Sequence, residues 1–292
     1  MSVAHRGLIL LGFPRPNRGA NSTVRQKFCE TKGTKGIAVK WTLASDIDGT
    51  LVGSRESLDR LANRLDVLRN AGGLLLIYCT GRRLDQVIDG TETEGLPIPD
   101  AVICQVGTEI YLEPNQESAS LESWRTKLLS EYSRAEAESF LDGIPGLQMQ
   151  PHEFNTDLKT SCFVDECPNP DATAAMIAER AARADDRYMV IYSSGRDLDI
   201  LPASSGKGKA IAFLLQHLGR SHENVVVAGD TGNDSAMFHH FDRGIVVANA
   251  QPELIALAEA ADAKSVYQAG LPYAAGVEQG LEFFGVLPIK TA

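Results

Sequence analysis

Long apolar runs are missing from this chain of 292 residues. The longest is far short of the roughly 20 residues that a membrane-crossing helix needs, so no membrane partner is expected. Cysteine is scarce and unpatterned. Its five copies, at 29, 79, 104, 162 and 167, form no CxxC pair and leave one over. Cys79 and Cys104 sit in strand-like runs, which predicts buried, reduced thiols in a cytosol-like, cytoplasmic setting. Positive charge is short as well, with 28 Lys and Arg against 38 Asp and Glu. Residues 1–40 hold eight of the basic groups and one acid, leaving 20 basic and 37 acidic groups across 41–292. An acidic body of that kind excludes nucleic-acid backbone binding as its business. A small anionic substrate in a local cationic pocket stays open.

The basic segment Arg6–Phe28 is acid-poor and contains Ser and Thr, as an organelle transit peptide would. Its apolar part, Leu8 to Phe13, is shorter than a secretory signal core. Residues 1–38 are therefore expected to be a disordered extension outside the fold. The remaining length suits about two domains.

From residue 39 onward, β runs alternate with helical patterns. "KWTLAS" reads as a strand, and Leu58, Leu61, Leu65 and Leu68 then recur at helical spacing until Ala71-Gly72-Gly73 stops them. "LLLIYC" (74–79), "AVICQV" (101–106) and "NVVVAG" (224–229) are continuous apolar runs, as parallel strands covered on both faces require. The fold class predicted is α/β: a doubly wound parallel sheet whose sites lie beyond the carboxyl ends of its strands. The middle departs from this. A helix marked by Leu121, Trp124, Leu128 and Tyr132 precedes strand-like "GLQMQ" and "TSCFV". An Ala-rich helix over 171–184 precedes "YMVIYS" and "DLDILP". This repeat predicts an inserted α+β cap over 115–203, with the core made of 39–114 and 204–292.

Polar groups gather at the predicted strand ends. Asp46 and Asp48 follow the first strand, and Thr80, Gly81 and Arg82 follow the second. Lys207 opens a helix, and Asp230, Asn233 and Asp234 lie in "GDTGND". Each alone has an ordinary account as a turn, a helix cap or a solvated lysine. Four such coincidences on one edge of one sheet are hard to sustain.

Two neighbouring carboxylates need a positive partner, because like charges repel and buried ones are costly. Asp46, Asp230 and Asp234 supply hard oxygens suited to Mg²⁺. With a cation present, ionised Asp46 can attack phosphorus. Lys207 balances charge, Thr80 and nearby N–H groups hold phosphoryl oxygens, and Asp48 can protonate the leaving alcohol and later deprotonate water. A Walker-type phosphate loop is excluded in "GKGK", since no Ser or Thr follows either lysine.

The order DxDGT, TGR, a Lys-Gly helix start and GDxxND resembles the haloacid-dehalogenase superfamily of aspartate-nucleophile phosphatases over residues 41–292. Dehalogenases of that superfamily lack the second aspartate, whereas its phosphatases keep it. The cap position is similar to that of the Cof-like, sugar-phosphate branch. "QVGTEIY", "VIYSSGRDLDILPASSGKGKA", "AGDTGNDSAMF" and "RGIVVANAQPEL" resemble sucrose-phosphate and mannosylfructose-phosphate phosphatases. The resemblance implies a small phosphorylated sugar as substrate and a cognate sugar-phosphate synthase as partner. It implies a metal set of Asp46, Asp48, Asp230 and Asp234. Substrate contacts would come from Thr80, Gly81, Arg82 and Asn233 in the core, and from Lys159, Asp197 and Asp199 in the cap. Many cyanobacterial and plant members read DLDNT where this chain reads DIDGT, which leaves the disaccharide open. Two alternatives stand beside it: a broad-specificity sugar-phosphate phosphatase, and a non-catalytic regulatory domain.

Overall fold

The computed structural model describes residues 41–184 and 186–289. The expected disordered extension over 1–38, with Cys29, lies outside the described residues. Strands follow in chain order as β1 (Trp41–Ser45), β2 (Leu74–Cys79), β3 (Ala101–Cys104), β4 (Glu109–Leu112), β5 (Gln148–Met149) and β6 (Thr160–Phe163). They continue as β7 (Tyr188–Ser193), β8 (Asp197–Pro202), β9 (Val225–Gly229), β10 (Gly244–Val246) and β11 (Val266–Gln268). The helices are α1 (Arg55–Asn70), α2 (Leu84–Thr93), α3 (Glu122–Leu129), α4 (Arg134–Ser139) and α5 (Pro170–Ala182). After them come α6 (Lys207–His217), α7 (Ser235–His240), α8 (Pro252–Ala260) and α9 (Tyr273–Phe283).

Among the described residues one sheet has the order β11-β10-β9-β1-β2-β3-β4. All neighbours in it are parallel except β4, which runs back along β3 with Ile110 opposite Ile103. β1 lies between β2 and β9, with Ala44 opposite both Ile77 and Val227. Leu43, Leu76, Ile77 and Val227 have no exposed surface. That explains why these strands read as unbroken apolar runs, and each large aliphatic buried this way contributes about 1.5–3 kcal/mol.

The helix expected from the leucine spacing is α1. Leu58, Leu61 and Leu65 face the core, and Ser54 caps the start by accepting the Ser57 N–H. The chain leaves the helix through Gly72 at φ 71°, a left-handed position that glycine adopts without cost.

The second sheet is antiparallel, in the order β5-β6-β8-β7, and lies in the chain between β4 and α6. α5 packs on β7. Tyr132 and Phe140 both pack edge-on against Tyr188, at 5.5 and 5.0 Å between ring centroids. The Tyr132 hydroxyl also pairs with Thr160 Oγ1 at 2.8 Å. This is why the helix expected to run through Tyr132 stops at Leu129: Tyr132 is drawn to the sheet, and Ser133 then caps α4.

Two further strand expectations are corrected. "GLQMQ" yields only the exposed two-residue edge strand β5. "AVICQV" leaves the sheet at Cys104, because the Gln105 and Val106 N–H groups turn back to the carbonyls of Arg82 and Thr80. No helix among the described residues is long and apolar enough to cross a membrane. Cys79, Cys104, Cys162 and Cys167 are buried free thiols. Burial pushes Cys162 up to about 12, which makes it a poor nucleophile.

Candidate active site

Asp46 is the first residue past β1, and its N–H still bonds the Ala228 carbonyl of the neighbouring strand at 2.9 Å. The chain then folds on itself tightly: the Ile47 carbonyl accepts the N–H groups of Thr50, Leu51 and Val52. Gly49 makes that turn at φ 76°, and a Cβ there would lie 2.2 Å from Asp230 Oδ2. Glycine is needed on both counts. Thr50 Oγ1 donates to Asp230 Oδ1 at 3.0 Å, a role beyond turning that the sequence did not reveal. Asn249 holds the same turn by donating to the Gly49 carbonyl at 2.7 Å.

Lys207 lies below Asp46 at the start of α6. Its Nζ donates to Asp46 Oδ1 at 2.8 Å and to Asp234 Oδ1 at 2.6 Å, and the lysine side chain has no exposed surface. Burial alone would lower its pKa; the carboxylates of Asp234 and Asp46 outweigh that and raise it, so the ammonium stays charged. Asp234 Oδ2 accepts the N–H groups of Asp230 and Thr231 at 2.9 and 3.1 Å. Asp234 therefore fixes both the lysine and the loop after β9.

Oxygens of Asp46, Asp230 and Asp234 come within 4.8 Å of one another. Burial pushes the Asp46 carboxyl well up, with Lys207 opposing and the two other aspartates adding to the rise. Burial, then Asp234, pushes Asp230 up to about 7. Three buried carboxylates against one ammonium call for a further positive charge, and an all-oxygen set of this kind fits a hard divalent ion such as Mg²⁺.

Asp48 is placed differently from its expected metal role. Its carboxylate turns away from the cluster and meets Arg82, with Nε–Oδ2 at 2.8 Å and Nη2–Oδ1 at 2.6 Å. Next-but-one residues on a tight turn project apart, and a guanidinium fork captures the outer one. Arg82 in turn pairs with Glu94, which sequence reasoning missed. With two carboxylates to satisfy, Arg82 has little left to offer a substrate.

Thr80 is fully buried, and its Oγ1 accepts the Arg82 N–H at 3.1 Å, leaving the hydroxyl proton to point elsewhere. The Thr80–Arg82 loop is held by the turn after β3, in which Gln105 and Val106 take φ values of 50° and 58°. A β-branched residue in that region is strained, and the two hydrogen bonds to Thr80 and Arg82 stabilise it. Gln105 also donates to the Glu153 carbonyl, between β5 and β6, at 3.3 Å, tying the second-sheet segment to this loop.

A cavity of about 1020 Å³ opens between the strand ends and the second sheet. Its core wall carries Asp46, Asp48, Thr80, Gly81, Arg82 and Asn233. Its second-sheet wall carries Lys159, Asp197 and Asp199, together with Gln150 and Phe154, which were not anticipated. Lys159 is 2% exposed, not a surface lysine. Its Nζ is 3.5 Å from Asp199 Oδ1 and 5.7 Å from the Phe154 ring centroid. Asp199 also accepts from Ser161 Oγ at 2.5 Å, and Gln150 donates to Asp197 at 3.0 Å. Burial raises the Asp197 carboxyl, with Arg196 opposing. The expected residues of both sheets thus line one cavity or connect by hydrogen bonds to residues that do.

Known proteins resemble this chain in sequence and in fold. A sequence model of the sucrose-6F-phosphate phosphohydrolase family matches residues 39–285. The chain is 35% identical over 251 residues to a mannosylfructose-phosphate phosphatase of Agrobacterium fabrum, covering 84% of this chain and 97% of that protein. It is 32% identical over 260 residues to sucrose-phosphatase 1 of Nicotiana tabacum. That match covers 86% of this chain, which spans 60% of the length of the tobacco protein. The solved sucrose-phosphatase of Synechocystis sp. PCC6803, in complex with sucrose and phosphate, superposes with a TM-score of 0.78 at 31% identity, covering 84% of this chain and 98% of that one. A haloacid dehalogenase-like hydrolase of Bacillus subtilis shares the fold at a TM-score of 0.60 and 16% identity. The chain belongs to the sucrose-6F-phosphate phosphohydrolase family of haloacid-dehalogenase-type phosphatases.

Proposed function

We propose that this chain hydrolyses a disaccharide phosphate, sucrose 6-phosphate or mannosylfructose phosphate, through an aspartyl-phosphate intermediate on Asp46. The observation that carries the reading is the buried Lys207 ammonium, bonded at once to Asp46 and Asp234 below the cavity floor. A carboxylate held in place by such a partner is a nucleophile with fixed aim. The cavity is at the upper end of small-molecule sites, and its polar cap wall offers both donors and acceptors to sugar hydroxyls. That size favours a disaccharide ester over a hexose phosphate.

Asp46 and Asp230, with Asp234 behind them, would hold Mg²⁺. When bound, the ion supplies positive charge that offsets the meeting of carboxylate and phosphate. Asp46 attacks phosphorus as the bond to the sugar oxygen breaks, and Asp48 gives that oxygen a proton. Asp48 then takes a proton from the water that attacks the aspartyl phosphate, releasing inorganic phosphate and freeing Asp46. Thr80 hydroxyl and the N–H groups after it face the phosphoryl oxygens. The segment 115–203 acts as the specificity cap, with Lys159, Asp197 and Asp199 on the sugar.

Acid quenching during turnover of ³²P-labelled ester tests the covalent step. Wild-type protein should retain label that hydroxylamine removes, and Asp46→Asn should retain none and turn over at least about 10³-fold more slowly. Label retained by Asp46→Asn overturns the assignment.

A further inference from the structure

Glu94 has no part in the reaction as written, yet its partner Arg82 holds a residue that does, Asp48. α2 ends at Thr93, and the Glu94 N–H still bonds the Gly90 carbonyl at 3.0 Å. Gly95 follows at φ 75°, so the helix stops in a left-handed turn that fixes Glu94 in place. From there its carboxylate accepts Arg82 Nη1–H at 2.8 Å and Nη2–H at 3.1 Å. The opposite edge of the same guanidinium serves Asp48. Four of the five guanidinium N–H groups are thereby spent on two carboxylates.

The array has space made for it. A Cβ at Gly90 would lie 2.9 Å from Arg82 Nη1 and 3.1 Å from Glu94 Oε2. Glycine weakens a helix relative to alanine, and here it admits the ion pair. The Arg82 side chain is 14% exposed, Glu94 34% and Asp48 60%. The guanidinium is the anchored member, and Asp48 is the one free to leave it.

We infer that Glu94 is a positioning residue for proton transfer at Asp48, acting through Arg82. The inference rests on the reading of Asp48 as the group that protonates the leaving alcohol. Once Asp48 has given its proton to the departing sugar oxygen, it is a carboxylate, and the Arg82 fork receives it in the arrangement seen here. When water attacks the aspartyl phosphate, Asp48 takes up a proton, and phosphate departs from Asp46. Neutral Asp48 must then leave the fork to serve the next ester. With Glu94 in place, the guanidinium stays paired after Asp48 departs, so no buried cation is stranded. Without Glu94, the guanidinium has Asp48 alone to hold, so it clings to Asp48 or drifts from its position. Proton delivery suffers in both cases.

Leaving-group dependence separates positioning from mere structure. A sugar alkoxide needs a proton to leave; p-nitrophenolate does not. The test compares, on the full chain with Mg²⁺, p-nitrophenyl phosphate with the fastest ester in a set of sucrose 6-phosphate, mannosylfructose phosphate and fructose 6-phosphate. Glu94→Ala and Glu94→Gln should lower the sugar-to-aryl ratio of kcat about tenfold, in the same sense as Asp48→Asn and less severely. Gly90→Ala, which favours the helix and crowds the ion pair, should lower the ratio too. Exposed Glu92→Ala is the control and should leave it unchanged. If Asp48→Asn lowers the ratio and the Glu94 variants slow both esters equally, Glu94 is structural and the inference falls alone. If Asp48→Asn itself slows both esters equally, the acid assignment fails and takes the inference with it.

Discussion

The ammonium of Lys207 lies 2.8 Å from Asp46 Oδ1, across 161 residues of chain, with the lysine wholly out of solvent. Everything proposed for the site depends on that pairing. Lys207→Met should leave the buried Asp46 and Asp234 carboxylates without their cation. Removing one partner of a buried pair costs about 3–5 kcal/mol, which urea titration should report as a lowered midpoint. Activity should fall by about 10³-fold or more. Lys207→Arg should not restore it, because the wider fork has no room in a fully buried site.

Gly49→Ala tests the approach of the first loop to Asp230. The new Cβ would meet the Asp230 carboxylate at 2.2 Å, and alanine at φ 76° adds about 1–2 kcal/mol of strain. The expected outcome is a folded protein with slowed turnover and a half-saturating Mg²⁺ concentration raised about tenfold or more. An unchanged Mg²⁺ requirement would detach Asp230 from the ion.

Metal removal should show a pH signature. The folded-state pKa of Asp230 is raised to about 7, against an ordinary value of 3.8. Between those values the folded protein holds a proton that the unfolded chain has lost. Without metal, this group therefore costs stability progressively as pH rises through that window, with the full cost above about 7. A divalent ion must displace that proton to bind. The gain in Tm on adding Mg²⁺ should accordingly be larger at pH 8 than at pH 5. Equal gains at both pH values would contradict the assignment of Asp230.

The proposed sugar contact is read most directly at Lys159. With its Nζ 3.5 Å from Asp199 and facing the cavity, Lys159→Ala should raise KM for the disaccharide ester about tenfold or more. Hydrolysis of p-nitrophenyl phosphate, which has no sugar, should lose much less. An equal loss on both esters would make Lys159 a structural or phosphate-site residue.

Much of this was legible in the chain. The Leu58, Leu61, Leu65 spacing marked α1, and "LLLIYC" marked β2, because burial on one stripe or on two faces writes itself into local pattern. Asp46, Thr80, Lys207 and Asp234 were legible because strand ends in a parallel sheet collect on one edge. The partners of those residues were not. Glu94 reaches Arg82 from a helix end, and nothing around it differs from a solvated glutamate. The family resemblance put Asp48 in the metal set, while its side chain answers to an arginine 34 positions away. Gln105 and Val106 read as strand, and two hydrogen bonds to the Thr80 loop override that preference. Thr50, Asn249 and Phe154 take their roles from tertiary neighbours alone.

The most direct measurement is inorganic phosphate release, with and without Mg²⁺, from sucrose 6-phosphate, mannosylfructose phosphate, fructose 6-phosphate and glucose 6-phosphate. The expected result is Mg²⁺-dependent turnover in which one disaccharide ester exceeds both hexose phosphates in kcat/KM by about 100-fold. Comparable rates on all four esters, or no phosphate release from any of them with Mg²⁺ present, would contradict it.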